Sequence, residues 1–290
     1  MTATMATPGR LSVVATPIGN LDDITLRALR TLAEADLILA EDTRHTRKLL
    51  SHHGITTRQR SYHAHSGEAA VQRALGDLES GLHLALVTDA GTPLLSDPGA
   101  TLVAAARQRG LRVDAVPGPC AAIAALSIAG LPFDSFRFVG FAPRTGARRR
   151  RWLEDIASRP DASVFYESPR RLGATLKDLS AELAGERRLA VCRELTKLHE
   201  EVVTGFADEL AECYAEGVRG EITVVVGAGP VRAACSETET IALDEAIAAR
   251  LSQGDSARNI ARELAAERGL PRRRVYAAVQ AQMRAAEEEE

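Results

Sequence analysis

Four short apolar runs in the first 120 residues each end in a polar or Gly/Pro-rich loop and then give way to helical spacing. Leu11 to Ala15 runs into Thr16-Pro17-Ile18-Gly19-Asn20-Leu21, and Asp36 to Ala40 into Glu41-Asp42-Thr43-Arg44-His45-Thr46-Arg47-Lys48. Leu82 to Val87 meets Thr88-Asp89-Ala90-Gly91-Thr92-Pro93-Leu94-Leu95-Ser96-Asp97-Pro98-Gly99, and Leu111 to Val116 meets Pro117-Gly118-Pro119-Cys120. Repeated strand, loop and helix units predict a mostly parallel sheet, whose carboxyl edge gathers the loops into one composite site. Proline fixes φ and glycine lets backbone approach a ligand closely, so these loops suit the walls of such a site.

The helices between them follow the 3.6-residue period. Leu26, Leu29 and Leu32 share a face over Thr25 to Ala35, with Thr25 as N-cap, and Glu68 to Leu78 and Ala100 to Gln108 read alike. Gly54 to His65 reads as irregular. A second set of strands is predicted at Phe136 to Phe141, Ser163 to Tyr166, Leu189 to Glu194, Glu201 to Phe206 and Glu221 to Val226. Helices are predicted near Arg148 to Ala157, Pro169 to Leu183 and Ala207 to Ala215. Gly229 to Glu239 reads as a linker. Leu243 to Gln253, Ala257 to Gly269 and Arg272 to Arg284 follow as three helical patterns resembling a helix-turn-helix unit, and Glu287 to Glu290 reads as a frayed tail. The expected division is therefore 1–118, 119–232 and 240–286, an α/β chain of two α/β domains with a small C-terminal helical module.

Several function classes lack their signatures. There is no G-x-x-x-x-G-K-[ST] or first-strand G-x-G-x-x-G, no G-x-S-x-G elbow and no H-E-x-x-H helix. Cys120, Cys192, Cys213 and Cys235 form no C-x-x-C pair, and His63-Ala64-His65 lacks a third ligand at metal-site spacing, so no metal site is expected. With no signal-peptide pattern at Met1 to Arg10 and no apolar run of membrane-spanning length, a cytoplasmic protein is expected. The net charge of -3 neither demands nor excludes nucleic acid, because phosphate binding depends on local clusters of Arg and Lys. Arg144 and Arg148, Arg149, Arg150 and Arg151 beside Trp152 form one cluster, and four arginines at a helix start oppose the helix dipole. Arg258, Arg262, Arg268 and Arg272 to Arg274 form a second.

Seven blocks carry a resemblance. Ala15-Thr-Pro-Ile-Gly-Asn-Leu21, Glu41-Asp-Thr-Arg44, Thr88 to Gly99, Pro117-Gly-Pro119, Phe165-Tyr-Glu-Ser-Pro-Arg170, Arg193-Glu-Leu-Thr-Lys197 and Gly220-Glu-Ile-Thr223 occur in this order. Together they resemble the tetrapyrrole methylase superfamily, in its branch of small-subunit ribosomal RNA methyltransferases I. The resemblance implies two α/β domains with S-adenosylmethionine bent into the cleft between them. It further implies 2'-O-methylation of a cytidine ribose in the decoding region of 16S ribosomal RNA and, together with apolar surface on the second domain, a homodimer. An assembled small subunit is expected as the substrate over naked RNA, because one cytidine must be selected by shape as well as by sequence. Carried onto these blocks, it expects the cofactor at Pro17, Gly19, Asp89, Ala90, Gly91, Thr92, Pro93, Ser96, Asp97, Pro98, Gly118, Pro119, Cys120, Tyr166 and Glu167. Cys120 stands where the family commonly has a small hydroxyl residue, so its contact is expected through backbone.

A 2'-hydroxyl is a poor nucleophile, so a positioned base is expected, with Asp42 preferred over Glu41 and Glu167 and with Arg44 and Lys48 on substrate phosphate. Capping by Asp42 and an Asp42–Arg44 ion pair are the competing structural roles for the same residues. The competing functions are methylation of a tetrapyrrole or another RNA position in the same cleft, and a non-catalytic ribosome-assembly factor that binds RNA.

Overall fold

A computed structural model describes residues 9–64, 66–183, 185, 187–229, 237–253, 255–268, 275, 276, 278–280, 282 and 283. Residues 1–8, His65, residues 230–236 with Cys235, Arg272 to Arg274 and the tail Glu287 to Glu290 lie outside them. The chain divides into two compact units, Met1–Pro230 and Val231–Glu290.

The first half of the larger unit is a parallel sheet. Its elements are β1 (Arg10–Val14), α1 (Leu26–Glu34), β2 (Leu37–Ala40), α2 (Thr43–His52), β3 (Gln59–Ser61), α3 (Gly67–Glu79), β4 (His83–Val87), α4 (Ala100–Gln108) and β5 (Arg112–Val116). The strand order is β3-β2-β4-β1-β5, with every neighbouring pair parallel. Helices cover both faces, so β4 is buried along its whole length and reads in sequence as a continuous apolar run. Alternate residues feed two cores. Leu84 and Leu86 join Leu39, Leu75, Leu78 and Leu102, while Ala85 and Val87 join Ile38, Leu32, Leu49 and Leu50 on the other face.

The segment expected to be irregular contains β3. Its residues are polar because it is an edge strand, and Arg60 is fastened to Asp77 of α3 at 2.5 Å rather than to a core.

The second half comprises α5 (Ala121–Ile128), β6 (Phe136–Phe141), α6 (Gly146–Ser158), β7 (Ala162–Glu167), α7 (Leu172–Leu183), β8 (Arg188–Arg193), β9 (Glu201–Phe206), α8 (Ala207–Cys213) and β10 (Ile222–Val226). Its order is β6-β7-β10-β8-β9, and only β6 and β7 run parallel. This sheet is mixed because the short turn from β8 to β9 makes an antiparallel pair, whereas a parallel pair needs a crossover. α6, α7 and α8 cover one face through Ile156, Leu176, Leu179 and Leu210. α5 covers the other through Ala122, Ala125 and Leu126, and Ile18 of the first half packs into that same core.

The smaller unit contains α9 (Glu237–Ser252) and α10 (Ala257–Arg268) around Leu243, Ile247, Ile260, Leu264, Val275 and Val279. Arg250 ties the two helices together through Glu263 and, at 3.0 Å, Glu267. No helix among the described residues is long and apolar enough to cross a membrane.

Candidate active site

The four loops at the carboxyl edge of the first sheet are stitched to one another. Thr16 and Gly91 exchange backbone hydrogen bonds of 2.9 and 3.0 Å, and the Thr16 hydroxyl donates to the Thr88 carbonyl at 3.1 Å. The Thr88 hydroxyl donates to the Glu41 carboxylate at 2.6 Å, the Asp42 amide donates to Asp89 at 3.0 Å, and the Thr92 hydroxyl donates to the Pro119 carbonyl at 3.1 Å. Within the Thr88 to Gly99 loop, Leu94 and Ser96 have φ of 75° and 72°, conformations that cost free energy for residues with a Cβ. Gly91 has φ of 85°, and a Cβ there would approach Ile18 to 3.4 Å, so glycine keeps this wall open.

A cavity of about 430 Å³ lies between these loops and the second sheet. The first half supplies Ile18, Glu41, Thr88 to Thr92 and Leu95 to Asp97, and Cys120 and Ala121 follow from the turn before α5. Opposite stand Phe141, Tyr166 to Pro169 and Gly220 to Thr223. Of the residues expected around a cofactor, Asp89, Ala90, Gly91, Thr92, Ser96, Asp97, Cys120, Tyr166 and Glu167 thus line one space. Pro17, Gly19, Pro93, Pro98, Gly118 and Pro119 are not on its wall. Pro17 and Pro93 are buried behind it, and Gly118 sits where a Cβ would come within 3.0 Å of the Ala15 Cβ.

Gly19 has a different neighbour. A Cβ there would lie 2.6 Å from the Thr196 hydroxyl and 2.8 Å from the Leu195 carbonyl, and the Asn20 amide donates to Thr196 Oγ1 at 3.0 Å. The Arg193 to Lys197 block is therefore a clasp between the two halves. Glu194 accepts from Lys197 Nζ and from the Glu221 amide, each at 2.9 Å, which fixes the Gly220 to Thr223 strip along the cavity.

The carboxylates differ sharply in their surroundings. Asp42 is the N-cap of α2: it accepts from the Arg44 amide at 2.8 Å and takes the Arg44 guanidinium at 2.7 Å. The Arg44 side chain and amide hold its carboxyl well below the usual carboxylate range. It does not line the cavity, and Arg44 is turned to it. Glu167 lines the cavity, yet both of its oxygens are filled. One accepts from the Ser168 amide at 2.6 Å and from Arg171 at 2.5 Å, the other from the Thr175 hydroxyl at 2.5 Å.

Asp89 is raised by burial and by the charges of Glu41 and Asp42, its bond from the Asp42 amide opposing them. Burial pushes Asp97 up to about 6, with Glu41 and Asp89 adding to the rise and the Thr88 hydroxyl opposing it. Burial also pushes the Tyr166 hydroxyl up to about 12, leaving it a neutral donor.

The arginine run divides in two. Arg149 points inward, its side chain 13 % exposed, and donates to Asp178 at 2.6 Å, the Pro143 carbonyl at 2.9 Å and Thr175 at 3.1 Å. It is a strut between α6 and α7 and is not displayed for RNA. Arg144, Arg148, Arg150 and Arg151 are exposed, as is Lys48.

The family model for tetrapyrrole (corrin/porphyrin) methylases matches residues 10–211. The ribosomal RNA small subunit methyltransferase I of Halalkalibacterium halodurans is 42% identical, the match covering 92% of this chain and 93% of that protein. That of Mycobacterium tuberculosis strain CDC 1551 is 45% identical over 93% and 94%. The chain belongs to the ribosomal RNA small subunit methyltransferase I family. A solved uroporphyrin-III C-methyltransferase from Thermus thermophilus, complexed with S-adenyl homocysteine, shares the fold of this family member. Its TM-score is 0.55 at 21% identity, covering 76% of this chain and 97% of that one.

In this family member the cavity residues outside the expected cofactor and base residues are Ile18, Thr88, Leu95, Ala121, Phe141, Ser168, Pro169 and the Gly220 to Thr223 strip. The strip carries a signal, since it is one of the seven blocks. Phe141 carries none, because an apolar residue closing a strand looks like core.

Proposed function

We propose that this methyltransferase moves the methyl group of S-adenosylmethionine to the ribose 2'-hydroxyl of a cytidine in the decoding region of 16S ribosomal RNA, with the assembled small subunit as substrate. The observation that carries this reading is the cavity, which gathers Glu41, Asp89 and Asp97 on one wall beside a neutral tyrosine, with Glu167 and Glu221 opposite. Its volume falls within the roughly 300–1,000 Å³ range of small-molecule sites. Backbone at Gly220, with positive φ, and the Tyr166 hydroxyl fit the hydrogen-bonding groups of an amino acid and a nucleoside without a phosphate cradle. S-adenosylmethionine supplies an electrophilic methyl group on a sulfonium.

The chain's own residues then have to orient the acceptor and take its proton. Asp97 suits the proton acceptor better than Asp42. It lines the cavity and is poised near neutral pH, whereas the Asp42 oxygens are committed to a helix cap and to Arg44. Glu41 and Asp89 support it as neighbouring charges. Lys48, Arg144, Arg148, Arg150 and Arg151 provide exposed cations for RNA phosphates. Exposed Ile128, Phe133 and Phe136 on the second half favour a homodimer. The arginine cluster and the helical C-terminal unit favour RNA over a tetrapyrrole as acceptor.

Tritium transfer from methyl-labelled S-adenosylmethionine tests this reading. Label is expected in isolated small ribosomal subunits and far less in free 16S RNA. Label in a tetrapyrrole acceptor and none in subunits would replace this reading, and no transfer to any acceptor would favour a non-catalytic factor.

A further inference from the structure

The pairing of β6 with β7 contains an irregularity next to the cavity. Phe136, Arg137 and Phe138 pair with Ala162, Ser163 and Val164 in step, but Phe141 pairs with Tyr166, so β6 spends one more residue than β7 over the same span. Gly140, with φ of 69°, lies in this bulge. In an unbroken strand, residues three apart point to opposite faces. The bulge instead brings both Phe138 and Phe141 against one ring. Their centroids lie 4.9 and 5.4 Å from Tyr166, each at an edge-to-face angle.

The two phenylalanines then differ in exposure. Phe138 packs into the core beneath α5, whereas Phe141 is 58 % exposed and lines the cavity. A Cβ at Gly140 would face the Ser96 hydroxyl at 3.6 Å, so the bulge abuts the Thr88 to Gly99 loop across the cleft. Phe141 is thus a supported, solvent-facing aromatic ring at the mouth of the site. Exposed Arg144 follows three residues later in the chain, and exposed Arg148 begins the cationic strip.

We propose that Phe141, backed by Tyr166, is a nucleobase-stacking platform that receives a base of the substrate RNA next to the acceptor ribose. This rests on the reading of the protein as an RNA methyltransferase. A hydrocarbon ring offers no hydrogen bond, so it grips any base by its π-face, leaving base identity to other contacts. An RNA base drawn out of its stack needs such a surface to replace the stacking it gives up. The adenine of the methyl donor shares this chemistry and is separated by the test.

The test measures Phe141→Leu and Phe141→Trp beside the parent protein. In label transfer to small subunits, Phe141→Leu is expected to raise KM about tenfold, the low end of aromatic stacking, and Phe141→Trp to restore it. Calorimetric affinity for S-adenosylhomocysteine is expected to stay within about twofold of the parent in both, because the platform serves the RNA. Independently of turnover, the indole of Phe141→Trp is expected to be quenched by cytidine-containing single-stranded RNA, with the parent's Trp152 as blank. A weakened S-adenosylhomocysteine affinity that matches the KM change would assign the ring to the donor's adenine and overturn the proposal. Unchanged KM, or no quenching, would overturn it as well. If the parent transfers no methyl to subunits but quenching occurs, the small-subunit acceptor fails while base stacking at Phe141 stands.

Discussion

Asp97→Asn is expected to lower methyl transfer to small subunits by about 100-fold or more, the usual contribution of a positioned general base. Affinity for S-adenosylhomocysteine, measured by calorimetry, should change little, because asparagine keeps the shape of the loop. Asp42→Asn is the comparator. Asparagine caps a helix as well as aspartate does, and loses only an exposed ion pair to Arg44, so most of the turnover should remain.

The pH profile gives the same prediction a second readout. The parent's rate should rise with pH through an apparent value near 6 and then level off, since the base must be ionised to accept a proton. The variant should lose this limb.

Stability should move the other way. Asp97 has its folded-state value raised to about 6 from 3.8, so its protonated form favours the folded state. That contribution is complete below about pH 4 and is lost as pH rises through 6. At pH 8 the ionised carboxyl burdens the fold, and Asp97→Asn should melt higher than the parent. The gap should close towards pH 4. A gain in stability paired with a loss of rate is the mark of a group kept for chemistry.

Glu167→Ala is expected to destabilise the larger unit by about 3 kcal/mol, read as a lower urea midpoint with an unchanged slope. The side chain of Glu167 is fully buried, and its removal leaves the Ser168 amide and the Thr175 hydroxyl without their acceptor and the Arg171 guanidinium without its counter-charge. Arg149, which donates to Thr175, extends this network to Asp178. Because the network fixes Tyr166 to Pro169 along the cavity, binding of S-adenosylhomocysteine should weaken as well. Glu167→Gln separates this role from catalysis. It retains an acceptor for the Ser168 amide and should keep most of the turnover, whereas a catalytic Glu167 would lose turnover with stability intact.

Much of the first half was legible in the sequence because its strands are buried on both faces. Leu11 to Ala15 and Leu82 to Val87 announce themselves as apolar runs, and the loops that follow announce a site by their prolines, glycines and hydroxyls. β3 carries no sequence signature, because an edge strand of Gln59, Arg60 and Ser61 lacks apolar alternation. Each strand of the second sheet is legible in the sequence, but side-chain pattern does not encode strand direction, so its mixed pairing is not.

The site divided along similar lines. Local chemistry was readable: the Asp42 cap and its bond to Arg44 stand two residues apart. Roles set by tertiary contact were not. Glu167 is closed off by residues as distant as Thr175, Arg149 looked like one arginine among four, and Asp97 owes its raised value to burial and to Glu41 and Asp89. The bulge that turns Phe141 to the cavity depends on its partner strand and has no one-residue signature beyond Gly140.

The most direct test of the central claim is the chemical position of the transferred methyl group. Small subunits lacking the modification are incubated with the protein and methyl-labelled S-adenosylmethionine, and their 16S RNA is digested to nucleosides and to mapped fragments for mass spectrometry. The expected result is 2'-O-methylcytidine, confined to one fragment of the decoding region and formed about 100-fold more slowly with Asp97→Asn. A methyl group on a base, on a ribose other than cytidine's, or in a fragment elsewhere in the RNA would contradict it.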